Sequence, residues 1–123
     1  MDNATIRTKQ QERAKFALDA LKNEQITKEL ANFIVGMPTM ILSNGLAQTM
    51  AFLMAKMDKK EREFVFNVIK KYLCENYKDD FPSDDKKEFL MQFNNINDFY
   101  KLIEMQNDVL KMLEWLKRYA RAF

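Results

Sequence analysis

One long stretch without charge, residues 33–55, dominates the pattern of hydrophobic and polar positions; it reads FIVGMPTMILSNGLAQTMAFLMA. From Asn44 onward, Leu46, Met50 and Leu53 recur at helical spacing on one face. A helix that is apolar around much of its circumference is usually buried on several sides. The stretch therefore predicts the central helix of a soluble bundle. It is long enough to cross a bilayer, but its glycines, proline and polar residues make a membrane span the less favoured interpretation.

Amphipathic helices are predicted on both sides of this stretch. Apolar residues recur at helical spacing over residues 4–22, 27–37, 58–73 and 86–94, and in a long final helix that begins at about Asp98. Side-chain oxygens at helix starts predict N-caps at Thr27, Asp58 and Ser83. With two glycines and two prolines, the chain lacks the turn residues that many short strands need. We predict an all-α fold, a single compact bundle of about six helices around a central apolar helix, with residues 1–123 forming one domain.

Two points interrupt the central stretch. Gly36 and Pro38 predict the end of one short helix and the start of the next, because proline disfavours the helical conformation at the residue before it. Asn44 and Gly45 predict a kink or a second break, since no strand alternation surrounds them. Asn44 and Gln48 lie four residues apart, and we expect a hydrogen-bonded amide pair in the core, with a ligand contact as the alternative.

Charge and composition exclude several classes of function. Twenty basic and eighteen acidic residues give a net charge of +2, too small to indicate a nucleic-acid partner without a local basic patch. The absence of histidine removes the commonest general base and the usual metal ligand. Cys74 is the only cysteine, so no intrachain disulfide is expected, and a reducing cytoplasm is the expected location.

Carboxylates cluster at residues 79–80 and 84–85, within KDDFPSDD. Such a cluster could hold Mg²⁺ for phosphodiester cleavage, which makes a metal-dependent nuclease one alternative. Its position in a predicted loop and at a helix start favours capping and solvation instead. We therefore predict no catalytic residue, no metal site and no cofactor.

Polar residues at the border of an apolar face are the remaining candidates for function. Arg7, Gln10 and Arg13 border the apolar face of the first helix, where an unpaired buried polar group would cost about 1–3 kcal/mol. They either pair within the fold, the favoured interpretation, or reach a partner. Lys117 and Arg118 lie in the final turns, where cations also stabilise the end of their own helix.

Three segments together resemble one known family. They are QERAKFAL at residues 11–18, MPTMILSNGLAQTMAFL at 37–53 and EWLKRYA at 114–120. The chain resembles the small α-helical subunit of the Cmr effector complex, the type III-B CRISPR ribonucleoprotein that is guided by RNA and targets RNA. The most specific part is the proline followed by the NGL-x-Q-T-x-AFL run, whereas residues 58–97 match only as a helical pattern.

The resemblance implies a non-catalytic subunit of an antiviral defence complex, stacked head to tail in several copies beside the crRNA-bearing backbone. It implies four partners: the backbone subunit, the Cas10-type large subunit, copies of itself and the crRNA–target RNA duplex. The residues predicted to face RNA are Arg7, Arg13, Lys15, Lys117, Arg118 and Arg121. The family pattern positions Arg13, Lys15, Lys117 and Arg118, whereas Arg7 and Arg121 extend the set by charge alone. Contacts to phosphates carry no sequence information, which suits a protein that must accept any target.

A second class of function is a free-standing helical adaptor. Nine methionines in the chain could form an adaptable surface that grips a partner helix. Most of them fall on predicted core stripes, which favours a role in filling gaps in the core.

Overall fold

The structure, a computed structural model, describes residues 8–123, and the regular structure in this range is α-helical throughout. The helices are α1 (Lys9–Leu21), α2 (Lys28–Asn44), α3 (Leu46–Ala55), α4 (Lys60–Asn76), α5 (Lys86–Phe93) and α6 (Phe99–Ala122). This confirms the all-α class and the predicted number of helices. The first four residues of the predicted N-terminal helix lie outside the described range. None of the helices in the described range has the length and apolar character needed to cross a membrane.

The long helix α6 carries the apolar stripe around which the bundle packs. Its buried apolar residues are Met105, Val109, Met112, Leu113, Leu116 and Ala120, which recur at the helical spacing expected of the final helix. It packs most extensively against α1 and α2 and also contacts α4. Buried residues from all six helices join in one hydrophobic cluster. The prediction that residues 1–123 form one domain stays a prediction.

Methionine fills gaps in this core. Met37, Met50, Met105 and Met112 are fully buried, whereas Met91 is 56% exposed. Unbranched, flexible side chains adapt to irregular spaces between helices. The Met-rich surface on which the adaptor alternative depends is therefore largely inside the protein.

The predicted helix break at Gly36 and Pro38 is wrong, because α2 runs through both residues to Asn44. An internal proline costs roughly 3 kcal/mol, since it removes one backbone hydrogen bond and crowds the preceding turn. The buried stripe of α2, which includes Ile34, Met37 and Ile41, spans both sides of the proline. Burying each such side chain contributes roughly 1.5–3 kcal/mol, which outweighs the local penalty.

The break comes instead at Gly45, as the Asn44-Gly45 pair predicted. Gly45 has a φ of +82°, a region that favours glycine because side chains with a Cβ are strained there. Its N–H donates to the carbonyl of Ile41 at 2.7 Å and closes α2. The first N–H of α3, on Leu46, donates to Oε1 of Gln106 in α6 at 3.0 Å. The elbow between α2 and α3 is thus fixed to the longest helix.

The predicted core amide pair at this elbow is wrong. Asn44 and Gln48 are both exposed and belong to different helices. The buried polar residue is Thr49, whose hydroxyl donates to the carbonyl of Gly45 at 2.8 Å. A Gly with a positive φ and an extended ψ redirects the chain, so residues four apart no longer share a helical edge.

The uncharged stretch is also less buried than predicted. Several of its apolar residues are exposed to solvent, and four of them define what we call the α2–α3 outer surface: Leu42, Ala47, Ala51 and Phe52. Leu42 is 68% exposed, and Arg62 lies 4.3 Å above the ring of Phe52. The contacts of α3 are mainly with α2, α4 and α5, and Ala47, Ala51 and Phe52 lie on the part of its circumference that is exposed to solvent.

Two of the predicted N-caps are wrong and one is confirmed. The Thr27 hydroxyl accepts a hydrogen bond from the N–H of Leu30 at 3.1 Å. Asp58 does not cap α4, which begins after Lys59 without a side-chain cap. Asp85 rather than Ser83 caps α5, because the helix begins two residues later than expected. Helix starts with several adjacent polar residues leave the choice of cap to tertiary packing.

Candidate nucleic-acid interface

The start of α1 is fixed by a reciprocal cap. The Thr8 hydroxyl accepts from the N–H of Gln11 at 3.1 Å, and Oε1 of Gln11 accepts from the N–H of Thr8 at 2.9 Å. The T-x-x-Q sequence is the signal for such a capping box. With the helix begun at this residue, Gln10 and Arg13 face α6. Gln10 accepts a hydrogen bond from Nε1 of Trp115 at 3.1 Å.

A buried carboxylate joins α1, α4 and α6. Asp108 of α6 is 5% exposed and accepts from Nε of Arg13 at 2.8 Å. It also accepts from the hydroxyl of Tyr72 at 2.6 Å and from that of Tyr77 at 3.0 Å. In residues 8–123, no buried side-chain polar atom lacks a hydrogen-bond partner. A buried charge with this many donors is stable only because all of them are in place.

The pKa shifts of this network follow from its geometry. Burial alone would raise the pKa of Asp108, but hydrogen bonds from Tyr72, Arg13 and Tyr77 outweigh it and lower the pKa below the usual value. Burial, reinforced by hydrogen bonds to the carboxylate, raises the pKa of both tyrosines. At neutral pH the carboxylate is therefore ionised and both tyrosines are neutral donors. Each group is in the protonation state that its neighbours need.

A groove opens above this network, between α1 and α6. Its two sections share Arg13 and Lys111, and together they are lined by Lys9, Gln10, Arg13, Tyr77, Tyr100, Ile103, Glu104, Asn107, Asp108, Lys111, Glu114, Trp115 and Arg118. We call it the α1–α6 groove. The positions along α6 follow its helical period, so the groove extends over most of the helix length.

Cations and aromatic rings alternate along the α1–α6 groove. Lys9, Lys111 and Arg118 are exposed, whereas the charge of Arg13 is neutralised by Asp108. Tyr100 is 81% exposed, and the Trp115 ring stacks on Tyr119 with centroids 5.8 Å apart. Exposed cations bind phosphates, and exposed rings offer faces on which bases stack. The arrangement is therefore suited to binding a nucleic acid.

The comparison with known families bears on this interpretation. A family model described as CRISPR-associated protein (Cas_Cmr5) matches residues 9–123, the whole of α1 to α6. The chain belongs to this family. The match confirms the predicted resemblance, and it makes the protein a small subunit of the Cmr complex of type III-B CRISPR systems. Membership of the Cmr small-subunit family also implies association with other components of that complex.

The structure brings two of the predicted RNA-binding residues of this Cmr subunit into one groove. Arg118 is exposed there, and Arg13 lies beside it, but the Arg13 side chain is 11% exposed and bound to Asp108. Lys15 lies elsewhere, in a depression between α1 and α4, where it pairs with Asp19 at 2.8 Å. The internal pairing predicted for Gln10 and Arg13 is confirmed.

The other predicted RNA-binding residues are more dispersed. Lys117 pairs with Glu114 at 2.8 Å and is 25% exposed. Arg121 is exposed in the last turn of α6. Arg7 lies outside the described residues. Contact with RNA by any member of the set stays a prediction.

Two of the four aspartates of the acidic segment have structural side-chain contacts. Asp80 accepts from Nζ of Lys101 at 3.3 Å, and Asp85 accepts from the N–H of Glu88 at 3.1 Å as the cap of α5. Over the range 8–123, no three side chains of His, Cys, Asp or Glu lie close enough to hold a metal ion. The predictions of no catalytic residue and no metal stay predictions for the Cmr subunit.

Sequence reasoning missed Asp108, Lys111 and Tyr100. Asp108 lies among the apolar residues Met105, Val109 and Met112, and a charge inside such a stripe must have a buried partner. The sequence offered a candidate for that partner in Arg13, a cation at the apolar border of α1. No comparable signal exists for Lys111 and Tyr100, because their importance comes from how α1 lies against α6.

Proposed function

We propose that this protein is a non-catalytic small subunit that stacks in several copies along the crRNA-bearing backbone of the Cmr complex, in antiviral defence. Its proposed partners are the backbone subunit, the Cas10-type large subunit, further copies of itself and the crRNA–target RNA duplex. The observation that carries the proposal is the α1–α6 groove, in which exposed cations lie among aromatic rings in a chain of the Cmr family.

The cations proposed to contact RNA first are those that are not already held in an ion pair. Lys9, Lys111 and Arg118 form no ion pair with any residue in the range 8–123, so phosphates need displace no described carboxylate. Lys15 and Lys117 would first have to leave Asp19 and Glu114. Such exposed pairs are worth roughly 0–1 kcal/mol, so these lysines can add to the RNA contact at small cost.

Stacking of copies is supported by two separate exposed apolar regions. One is the α2–α3 outer surface, and the other is the start of α6, where Phe99 is 67% and Ile103 is 42% exposed. A head-to-tail array uses two different surfaces of each copy, in contrast to a symmetric dimer. Modest interfaces suffice when many copies are bound to a common backbone.

The non-catalytic assignment rests on the side chains present. The chain has no histidine, and the buried carboxylate Asp108 is already bound to three donors. A general base needs an acceptor that is free to take a proton from a substrate. We propose that the groove residues serve binding rather than bond cleavage.

The test is charge reversal in the assembled complex. We expect Lys111→Glu with Arg118→Glu to weaken binding of target RNA by roughly 10- to 100-fold at low salt and to make binding less dependent on salt. Binding is measured by filter binding across salt concentrations, after confirming that the complex contains the usual number of copies.

The matched control reverses Lys28 and Lys87, which are also exposed but lie at the starts of α2 and α5, outside the α1–α6 groove. It makes the same change in net charge and should leave RNA binding nearly unchanged. If the two double variants bind RNA alike at every salt concentration, the α1–α6 groove is not the RNA interface.

A further inference from the structure

A second groove lies on a different face of α1, between α1 and α4, with a volume of about 580 Å³. We call it the α1–α4 groove. The backbones of the two helices make few close contacts. They are bridged by side chains instead, since the rings of Phe16 and Tyr72 meet edge to face with centroids 4.9 Å apart. The space between the helices is left open to solvent.

The floor of the α1–α4 groove is apolar and regular. Phe16 and Ala20 come from α1, Phe64 and Val68 come from α4, and all four are buried or half-buried. Each pair is spaced by four residues and so forms a short ridge along its helix. Two such ridges side by side form a furrow into which the side chains of a third helix can pack.

The rim of the α1–α4 groove is acidic. Four carboxylates line it, from Asp19, Glu24, Glu63 and Glu75. Asp19 is paired with Lys15 and Glu75 with Lys71, so Glu24 and Glu63 outnumber the one remaining cation, Lys60, and the rim has a charge of −1 in a chain whose net charge is +2. Glu24 and Glu63 form no ion pair with any residue of the described part of the chain. This rim repels RNA phosphates and attracts a cationic partner.

We propose that the α1–α4 groove docks a basic amphipathic helix of another protein. The apolar face of that helix packs on Phe16, Ala20 and Phe64, and its lysines or arginines lie against Glu24 and Glu63. Grooves with an apolar floor recognise amphipathic helices through residues spaced i, i+3, i+4 and i+7, and the charged rim selects among them. This inference goes beyond the proposed function, because it assigns a protein partner to a surface that does not face RNA.

The test uses the full chain and a defined probe. The probe is a labelled helical peptide of leucine and lysine, with leucines at i, i+3, i+4 and i+7, and binding is followed by fluorescence anisotropy. We expect Glu24→Lys with Glu63→Lys to weaken binding at least tenfold, or about 1.4 kcal/mol. The control, Glu29→Lys with Glu88→Lys, changes the net charge equally at exposed sites outside the groove and should bind like the wild type.

Two further measurements locate the peptide. Its addition should shift the backbone amide NMR signals of α1 and α4 most, and Ala20→Trp should abolish binding by filling the floor. Thermal unfolding shows whether each variant is folded. Because Glu24 and Glu63 are exposed, their substitution decides the question even if Ala20→Trp proves unstable.

Several results would overturn the proposal. One is equal affinity for a peptide in which glutamate replaces lysine, and another is no binding of the lysine peptide. Shifts centred on the α1–α6 groove would also overturn it. So would an RNA oligonucleotide that occupies α1 and α4, or self-association of the chain that is lost in Glu24→Lys with Glu63→Lys.

Discussion

The two grooves that flank α1 are built on opposite principles. At the base of the α1–α6 groove lies a charged network, in which Asp108 binds Arg13, Tyr72 and Tyr77. The base of the α1–α4 groove is apolar, and the helices meet there through the edge of one ring. Above the charged base the exposed side chains include three cations and the ring of Tyr100 beside two carboxylates, whereas above the apolar base carboxylates outnumber cations. A helix of thirteen residues thus separates two surfaces suited to different partners.

The difference between the grooves shows that the formal charge of a side chain does not predict how much charge it adds to the surface around it. Arg13 contributes almost nothing to the potential of its groove, because Asp108 neutralises it. Lys15, two residues further along, is held by Asp19 at the edge of the acidic side. The cations that remain free in the α1–α6 groove come from the start of α1 and from α6. Pairing within the fold decides which charges are left for a partner.

The largest expected effect comes from breaking the charged base. Asp108→Ala removes the acceptor of three hydrogen bonds and leaves the Arg13 guanidinium nearly buried without a counter-charge. We expect the free energy of unfolding to fall by about 3 kcal/mol, measured by urea denaturation. Glu104→Ala, an exposed change on the preceding turn, should cost less than about 0.5 kcal/mol. Equal stability of the two variants would mean that the network does not hold α1 against α6.

A smaller effect is expected on acidification. The pKa of Asp108 is lower in the folded protein than the ordinary value of an aspartate, so the unfolded chain takes up the proton first as pH falls. The stabilisation is therefore complete above about pH 4 and is lost as pH falls further, through the folded pKa. The wild type should lose more unfolding free energy than Asp108→Asn between pH 5 and pH 2. Parallel pH profiles would show that this carboxylate is not favoured in its ionised form.

The smallest effect is spectroscopic, and it distinguishes the grooves directly. Trp115 is the only tryptophan of the chain and lines the α1–α6 groove, with its Nε1 bound to Gln10. RNA bound in that groove should change the intensity of its emission, because a base stacked near the indole alters its surroundings. The leucine–lysine peptide in the α1–α4 groove should leave the emission unchanged. If the peptide changed the emission and RNA did not, the peptide would be assigned to the α1–α6 groove and RNA to the α1–α4 groove.

The sequence was a good guide wherever local chemistry and the buried stripe agreed. The stripe of α6, the cap at Thr27 and the break at Gly45 were all predicted, because each depends on residues close together in the chain. Pro38 was misread because a local penalty was weighed without the burial of Ile34, Met37 and Ile41 against neighbouring helices. The same reasoning overestimated the burial of the uncharged stretch, since hydrophobicity alone does not show which faces have neighbours.

For the candidate site, the sequence supplied Arg13 and Arg118 but not the reason they differ. Arg13 is 95 positions from Asp108 along the chain, and only the packing of α1 on α6 brings them within 2.8 Å. The same packing places Lys9 and Tyr100 in one groove and turns Lys15 toward another.

Taken alone, the sequence determined the helical class, the approximate helix boundaries and the family, because periodicity, caps and motifs are local properties of the chain. Only the tertiary structure decided which charges are neutralised and which remain exposed, because ion pairs and grooves form between segments that are distant in sequence. Burial then fixes the sign of each surface, since a charge can be removed from water only beside its partner.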